Sequence, residues 1–241
     1  MSIWIPLASS LVSLLFAATL LDQYLVRRKT YQIIWAFGMF LYFISTGTEF
    51  LMLLNGPDPI LYRLWYLCGA MLVAAYLGLG TAYLLAPRRW ARITLVFLLV
   101  ASLYSVFKVF SSPLNLAELT PGQVLHGGAF LGGLEGPRIV TPFLNSFGTL
   151  WLVGGAAWSA WEFWRRKILP HRVVSNILIA SGGLMPALGG TLSRFGATQY
   201  LYVSELLGVM IIFIGFLRNK DIFGFYRIPL IHAFSPKDTK K

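Results

Sequence analysis

The sequence predicts an all-α fold, a polytopic bundle of seven transmembrane helices, and three observations carry that prediction. The 241-residue chain is 57% hydrophobic and 12% charged, whereas soluble domains carry about twice that charged fraction. Its apolar residues fall into runs long enough to cross a bilayer, for which about 20 residues are needed. Basic residues alternate between successive connections, sixteen on one side of the predicted spans and four on the other, the asymmetry that orients membrane proteins. A mean hydropathy of +0.69 exceeds what the core of a soluble domain absorbs.

The spans are expected at 3–26, 32–54, 60–86, 93–111, 138–164, 172–194 and 198–217, forming one membrane domain over 1–217. The first is too long, and lacks the basic flank, for a signal peptide. Turn formers separate the others: NGPDP after the second, PRR after the third, ILPHR before the sixth. The third and fifth spans exceed the bilayer requirement by about a turn, which predicts tilt. Pro186 lies between two glycine pairs in SGGLMPALGG and predicts a kink in the sixth. The positive-inside rule puts the N-terminus outside and the tail 218–241 in the cytoplasm, as in a bacterial-type cytoplasmic membrane. The net charge of +11 then reads as topology plus attraction to anionic inner-leaflet lipids, with no nucleic-acid partner. The longest connection, 112–137, holds six glycines and an apolar run, and reads either as a lid folded over the outer face or as a tolerated flexible connection.

Charges inside the spans mark where a site is expected, because ionisable groups in a membrane are costly and face a partner or a cavity. Glu49 and Arg63 flank a five-residue turn at one depth, so an ion pair between neighbouring helices is expected there. Lys108, with Tyr104 one turn before it, Arg138, Asn145 four residues beyond Thr141, Arg194, and Glu205 following Tyr200 and Tyr202 all fall near the same outer level. The candidate ligand-binding residues are therefore Glu49, Arg63, Tyr66, Tyr104, Lys108, Arg138, Asn145, Tyr202 and Glu205. A pocket with a slight positive excess and aromatic walls suits a small anionic or zwitterionic ligand. The inner half offers only Asp22 and Glu162, at helix ends beside arginines.

Several chemistries lack their parts. His126, His171 and His232 share no span, so paired histidines for haem or a metal are missing. The seventh span has no lysine to anchor a retinal Schiff base. No embedded serine has a histidine partner, and no glycine-rich phosphate loop follows a strand. Cys68 is the single cysteine and excludes a disulfide framework. The chain is read as a non-enzyme without a cofactor.

Four stretches carry a family resemblance. These are WAFGMFLYFISTGTEFL, LYRLWYLCGAMLVAAYLGLGTAYL, RRKILPHRVVSNILIASGGLMPALGGTL and FLRNKDIFGFYRIP. They resemble the second helix, the third helix, the basic loop with sixth helix, and the cytoplasmic exit of the seven-helix sensor module found N-terminal to bacterial histidine kinases. The resemblance implies a sensing role and no reaction. The chain departs from that family after the seventh span, where 218–241 carry no histidine box or nucleotide-binding segment. A signal would then leave through a separate cytoplasmic protein, with the tail as docking element or as a basic–aromatic anchor.

The expected role is a stand-alone sensor whose ligand shifts the sixth helix about Pro186 and hence the basic loop 165–172. Two other classes use the same features. A small-molecule or lipid transporter in a three-plus-one-plus-three arrangement needs a homodimer to make its pathway. A non-catalytic subunit of a larger complex uses the glycine faces for packing.

Overall fold

The computed structural model describes residues 3–119, 125–131, 136–194 and 200–218. The tail beyond Arg218 and parts of the long connection lie outside the described residues, as does the expected start of the last span at 198. Seven helices are long and apolar enough to cross a membrane: α1 Trp4–Arg27, α2 Thr30–Asn55, α3 Pro59–Leu85, α4 Arg88–Ser111, α5 Pro137–Arg165, α6 Pro170–Arg194 and α7 Tyr200–Leu217. The all-α, multi-pass architecture is thus the observed one.

Local chemistry sets the boundaries. Asp58 caps α3 by accepting hydrogen bonds from the backbone N–H of Ile60 (2.8 Å) and Leu61 (2.9 Å), with Pro59 at the first helical position, where its missing N–H costs nothing. Helix α4 begins at Arg88, five residues before the expected start. Pro87 sets the entry, and the arginines, taken as loop, form the exposed first turns of the helix. Helix α6 likewise starts at a proline, Pro170, and continues through Pro186.

Helix α3 is the hub. It packs on α2, α4 and α5, while α1 packs on α2 and α7, and α6 joins α5 to α7. Its apolar window is 72% buried, against 17% for α4, which lies on the periphery and presents Phe97, Val100, Leu103 and Phe107 outward. Two stretches depart from regular α geometry, Tyr66–Val73 in α3 and Leu150–Gly154 in α5, both wound as wider π turns. Tilt alone does not account for the extra length of these spans; the widened turns take part of it. Asn145 on α5 donates from Nδ2 to the carbonyl of Ala70 inside the first π stretch (2.9 Å), which satisfies a group that a regular ladder would have used. Trp35 on α2 donates to the carbonyl of Leu77 (3.0 Å).

The two ends of the bundle differ. At the basic end lie the connections 28–29, 86–87 and 166–169, where Glu162 bonds Arg165 (3.2 Å) and Arg166. At the loop end, residues 112–119 and 125–131 fold back on the helices as a strap. Leu114 and Phe130 form an antiparallel bridge, and the backbone N–H of Asn115 donates to Ala129 (2.8 Å).

Helices α3 and α5 approach closely where Gly148 lies against Ala74 and Gly78; a Cβ on Gly78 would stand 2.7 Å from the Cα of Gly148. Gly78→Leu is expected to destabilise the detergent-solubilised protein by about 1–3 kcal/mol through overpacking. Gly154→Ala, whose added methyl meets open space, should leave the melting temperature within error of the wild type. Thermal unfolding of the two variants checks both outcomes.

Candidate functional site

Glu49 occupies the inner face of α2 at the loop end and is 1% exposed. Its neighbours on that face are Ser45 and Thr46, also buried, and Tyr42 two turns earlier. Trp65 of α3 donates from its indole N–H to Glu49 Oε1 at 2.5 Å. Oε2 has no hydrogen-bond partner within the protein. From α7, the half-buried Glu205 and the buried Tyr202 come within electrostatic range of Glu49. The Tyr42 hydroxyl donates to the backbone carbonyl of Glu205 (3.0 Å), tying α2 to α7. Two carboxyls, two phenols and an indole thus converge from three helices.

The strap roofs this cluster. Tyr62 donates to the carbonyl of His126 (2.6 Å), and the backbone N–H of Leu125 donates to the Tyr202 hydroxyl (3.4 Å). Phe130 packs against the rings of Tyr62 and Tyr66, at 5.3 and 4.9 Å between centroids. Gly127 lies so close to Tyr66 that a Cβ would stand 2.7 Å from the ring. The described parts of the connection 112–137 therefore cover the loop end.

The expected ion pair between Glu49 and Arg63 is not formed. Arg63 turns to the C-terminus of α4, donating to the carbonyls of Val109 and Ser112 (2.8 Å to the latter), with Phe130 6.0 Å away. Those carbonyls have no acceptor role left inside the helix, and the negative end of the macrodipole adds to their pull on a cation. Glu162, at the opposite end, does form ion pairs, with Arg165 and Arg166.

The other expected site residues divide into two groups. Tyr202 and Glu205 join Glu49. Tyr66 stands at the rim, its hydroxyl 2.9 Å from that of Thr141. Asn145 is occupied by the Ala70 carbonyl. Tyr104 is 45% exposed on the flank of α4, with Lys108 stacked over it at 5.8 Å, and Arg138 is exposed at the start of α5. These last three sit at interface depth, where headgroups and water solvate them without an inward turn. The side chain of Arg194 lies outside the described residues. The cluster is consequently acidic and aromatic, and the positive excess expected from residue counts is spread over the rim.

Trp65 and Tyr42 were not singled out from the sequence. Tyr42 precedes Glu49 by seven residues, the spacing that returns to one helix face, so that signal was available. Nothing in the sequence pairs Trp65 with a residue sixteen positions earlier.

Comparison with known proteins adds no relative: the chain matches no protein-family model, no curated protein and no solved structure.

Glu49 and Arg63 are expected to behave independently. Arg63→Gln should destabilise by about 1–3 kcal/mol through two weakened carbonyl contacts. The double variant with Glu49→Gln should equal the sum of the single changes to within about 0.5 kcal/mol. Restored stability in the double variant, read by thermal melting, would mean that the two side chains pair after all.

Proposed function

We propose that this chain is an integral membrane, sensor-type binding protein, and that its ligand presents a cationic group to Glu49 and Glu205. One observation carries the reading: a carboxylate at 1% exposure whose Oε2 has no partner within the protein, with a second carboxyl in electrostatic range. A sealed carboxylate calls for a positive partner or a proton, because its burial as a bare anion is strongly unfavourable, and a cationic group would supply the first. Trp65 supplies one hydrogen bond and no charge. Tyr42, Tyr202 and Trp65 add aromatic faces, which attract ammonium groups. Of the anionic and zwitterionic classes that the sequence suggests, this acidic cluster supports the zwitterionic one, its ammonium end inward. A ligand larger than a monatomic ion enters only when the strap over Tyr62 and Tyr202 lifts, so binding selects between two arrangements of the loop end.

The family resemblance to seven-helix sensor modules supports the sensing role, and the basic-residue asymmetry supports an N-terminus outside and a C-terminus in the cytoplasm of a bacterial-type cell membrane. In that orientation the basic end meets anionic inner-leaflet lipids, and a separate cytoplasmic protein, or a second copy of the chain, receives the signal.

The test is thermal stability of the solubilised protein with choline, glycine betaine or tetramethylammonium, against acetate and phosphate as sodium salts. At about 100 times its dissociation constant a ligand stabilises by about 2.7 kcal/mol. An ammonium compound should raise the melting temperature of the wild type by several degrees, and neither Glu49→Gln nor Glu205→Gln should respond. A rise with acetate or phosphate, undiminished in Glu49→Gln, would sink the cationic reading. Accumulation of the same ligand inside sealed vesicles would make the protein a transporter.

A further inference from the structure

Two cations that the Glu49 cluster leaves out, Lys108 and Arg138, stand at the loop end of α4 and α5. These two helices hold to α3 more than to each other. On α4, Ser102 Oγ lies 3.1 Å from the Tyr76 hydroxyl, and the carbonyls of Val109 and Ser112 accept from Arg63. On α5, Gly148 lies against Ala74 and Gly78. With both backbones fixed to a third helix, side chains alone fill the space between them, and they fill it incompletely.

A crevice of about 70 Å³ remains between Phe97, Leu98 and Ala101 of α4 and Phe143, Leu144 and Phe147 of α5. The buried Leu98 and Leu144 form its floor, while Phe97 and Phe143, at 68% and 72% exposure, form its lips. The crevice thus opens away from the bundle, toward lipid. An apolar cavity stays dry, and its lining lacks contact atoms on one side until something apolar enters. A cavity of ~150 Å³ takes a benzene ring; half that volume fits a segment of one hydrocarbon chain and no ring.

The crevice leads into charge. On α4 the residues Phe97, Ala101, Tyr104 and Lys108 follow at spacings of four, three and four, which is one helix face. Lys108 stands 5.8 Å over the Tyr104 ring, and its seven-residue offset from Ala101 places it ~10 Å nearer the loop end. On α5 the exposed Arg138 precedes by two residues Val140, which also lines the crevice. Among the described residues, Glu118 on the strap is an acid whose field reaches the same Tyr62 as that of Arg138, so two cations face one carboxylate at this mouth. An apolar slot with cations a headgroup's height above it matches an anionic lipid in both charge and layout.

We propose that the α4–α5 crevice binds one anionic phospholipid of the leaflet at the loop end, with an acyl chain in the crevice and its phosphate at Lys108 and Arg138. A choline headgroup brings a third cation to the mouth and is disfavoured there. The site is separate from the Glu49 cluster and stands whether or not that cluster takes an ammonium ligand.

The experiment reconstitutes the full chain in phosphatidylcholine vesicles that contain a trace of photoactivatable lipid, with a diazirine in one chain, and maps the labelled peptides by mass spectrometry. Phosphatidylglycerol, phosphatidylcholine and free fatty acid probes are compared. Phosphatidylglycerol should label 97–101 and 143–147 at least fivefold more than Leu184 and Leu188, which face outward on α6 and report ordinary lipid contact. Each cation near an anionic headgroup gives about a fivefold preference, so phosphatidylglycerol should exceed phosphatidylcholine in the crevice at least tenfold. Lys108→Gln with Arg138→Gln should bring the two probes level. Ala101→Trp, which fills the crevice, should remove label from α4 and α5 and leave α6 unchanged; unfolding exposes every segment and gives no such pattern. Equal labelling of α4, α5 and α6, equal labelling by the two phospholipids in the wild type, or label that survives Ala101→Trp overturns the site. A fatty acid probe that labels the crevice as strongly as phosphatidylglycerol overturns the phospholipid as its occupant.

Discussion

A bilayer offers no water to a polar group, so satisfying one inside the bundle falls to the protein or to what it binds, and the loop end is organised around that requirement at Glu49. Its carboxyl takes one hydrogen bond from Trp65, and the tyrosines around it are each assigned to a backbone or hydroxyl partner: Tyr42 to Glu205, Tyr62 to His126, Tyr66 to Thr141 and Tyr202 to Leu125. All four partners lie on the strap, on α7 or at the start of α5, elements distant in sequence from the tyrosines themselves. The bonds that keep water from the carboxyl are therefore also the bonds that hold the connection 112–137 against the helices. Arg63 serves the same end from the other direction, closing the carbonyl terminus of α4 where the strap departs.

The central helix shows the same economy. Widening α3 over Tyr66–Val73 frees backbone groups in the most enclosed span, a place where free groups are least tolerable. Asn145 reaches across from α5 to take one of them, and glycines at 78 and 148 bring the two backbones close enough for it to do so. A residue expected to hold a ligand is thus fully engaged in holding a helix pair. An interhelical hydrogen bond of this kind contributes about 0.6 kcal/mol on average, but its geometry fixes the rotation of α3, and with it the direction in which Trp65 points.

What was legible in the sequence follows from which signals are local. Seven apolar runs, their breakers and the caps at Asp58 and Pro87 are local, and the spans appear where hydropathy puts them, with α4 extended through arginines that composition alone assigns to a loop. The depth of Glu49 and Glu205 was legible too, since depth needs only a count of residues from a span's end. The direction in which a side chain points was not. Arg63 had two nearby options, a carboxylate and a helix C-terminus. The choice depends on where α4 ends relative to α3, which is a tertiary fact. The π turns rotate everything beyond them relative to a regular helix, so even a correct helical wheel for α3 or α5 misplaces half its residues. Hence residue counts place Arg63, Lys108 and Arg138 toward the loop end, while the direction of each side chain is set by its own neighbours.

Trp65 is where these arrangements meet. A cation that engages Glu49 draws on the same oxygen pair that accepts the indole N–H. The indole packs edge-on or tilted against Tyr62 and Tyr66, at 5.5 and 6.0 Å between centroids. Those two tyrosines carry the strap, and Tyr66 opens the π stretch. Rotation of Trp65 by a change at Glu49 therefore bears on the strap through Tyr62 and on the winding of α3 through Tyr66 at once. Interior packing has few voids to absorb such a rotation, so it favours a second discrete arrangement over a graded one. Helix α3 runs on from there to the basic end, and Trp35 bonds it to α2 at Leu77 on the way. Helix α3 thus gives the carboxyl a continuous packed route from the loop end to the basic end of the bundle.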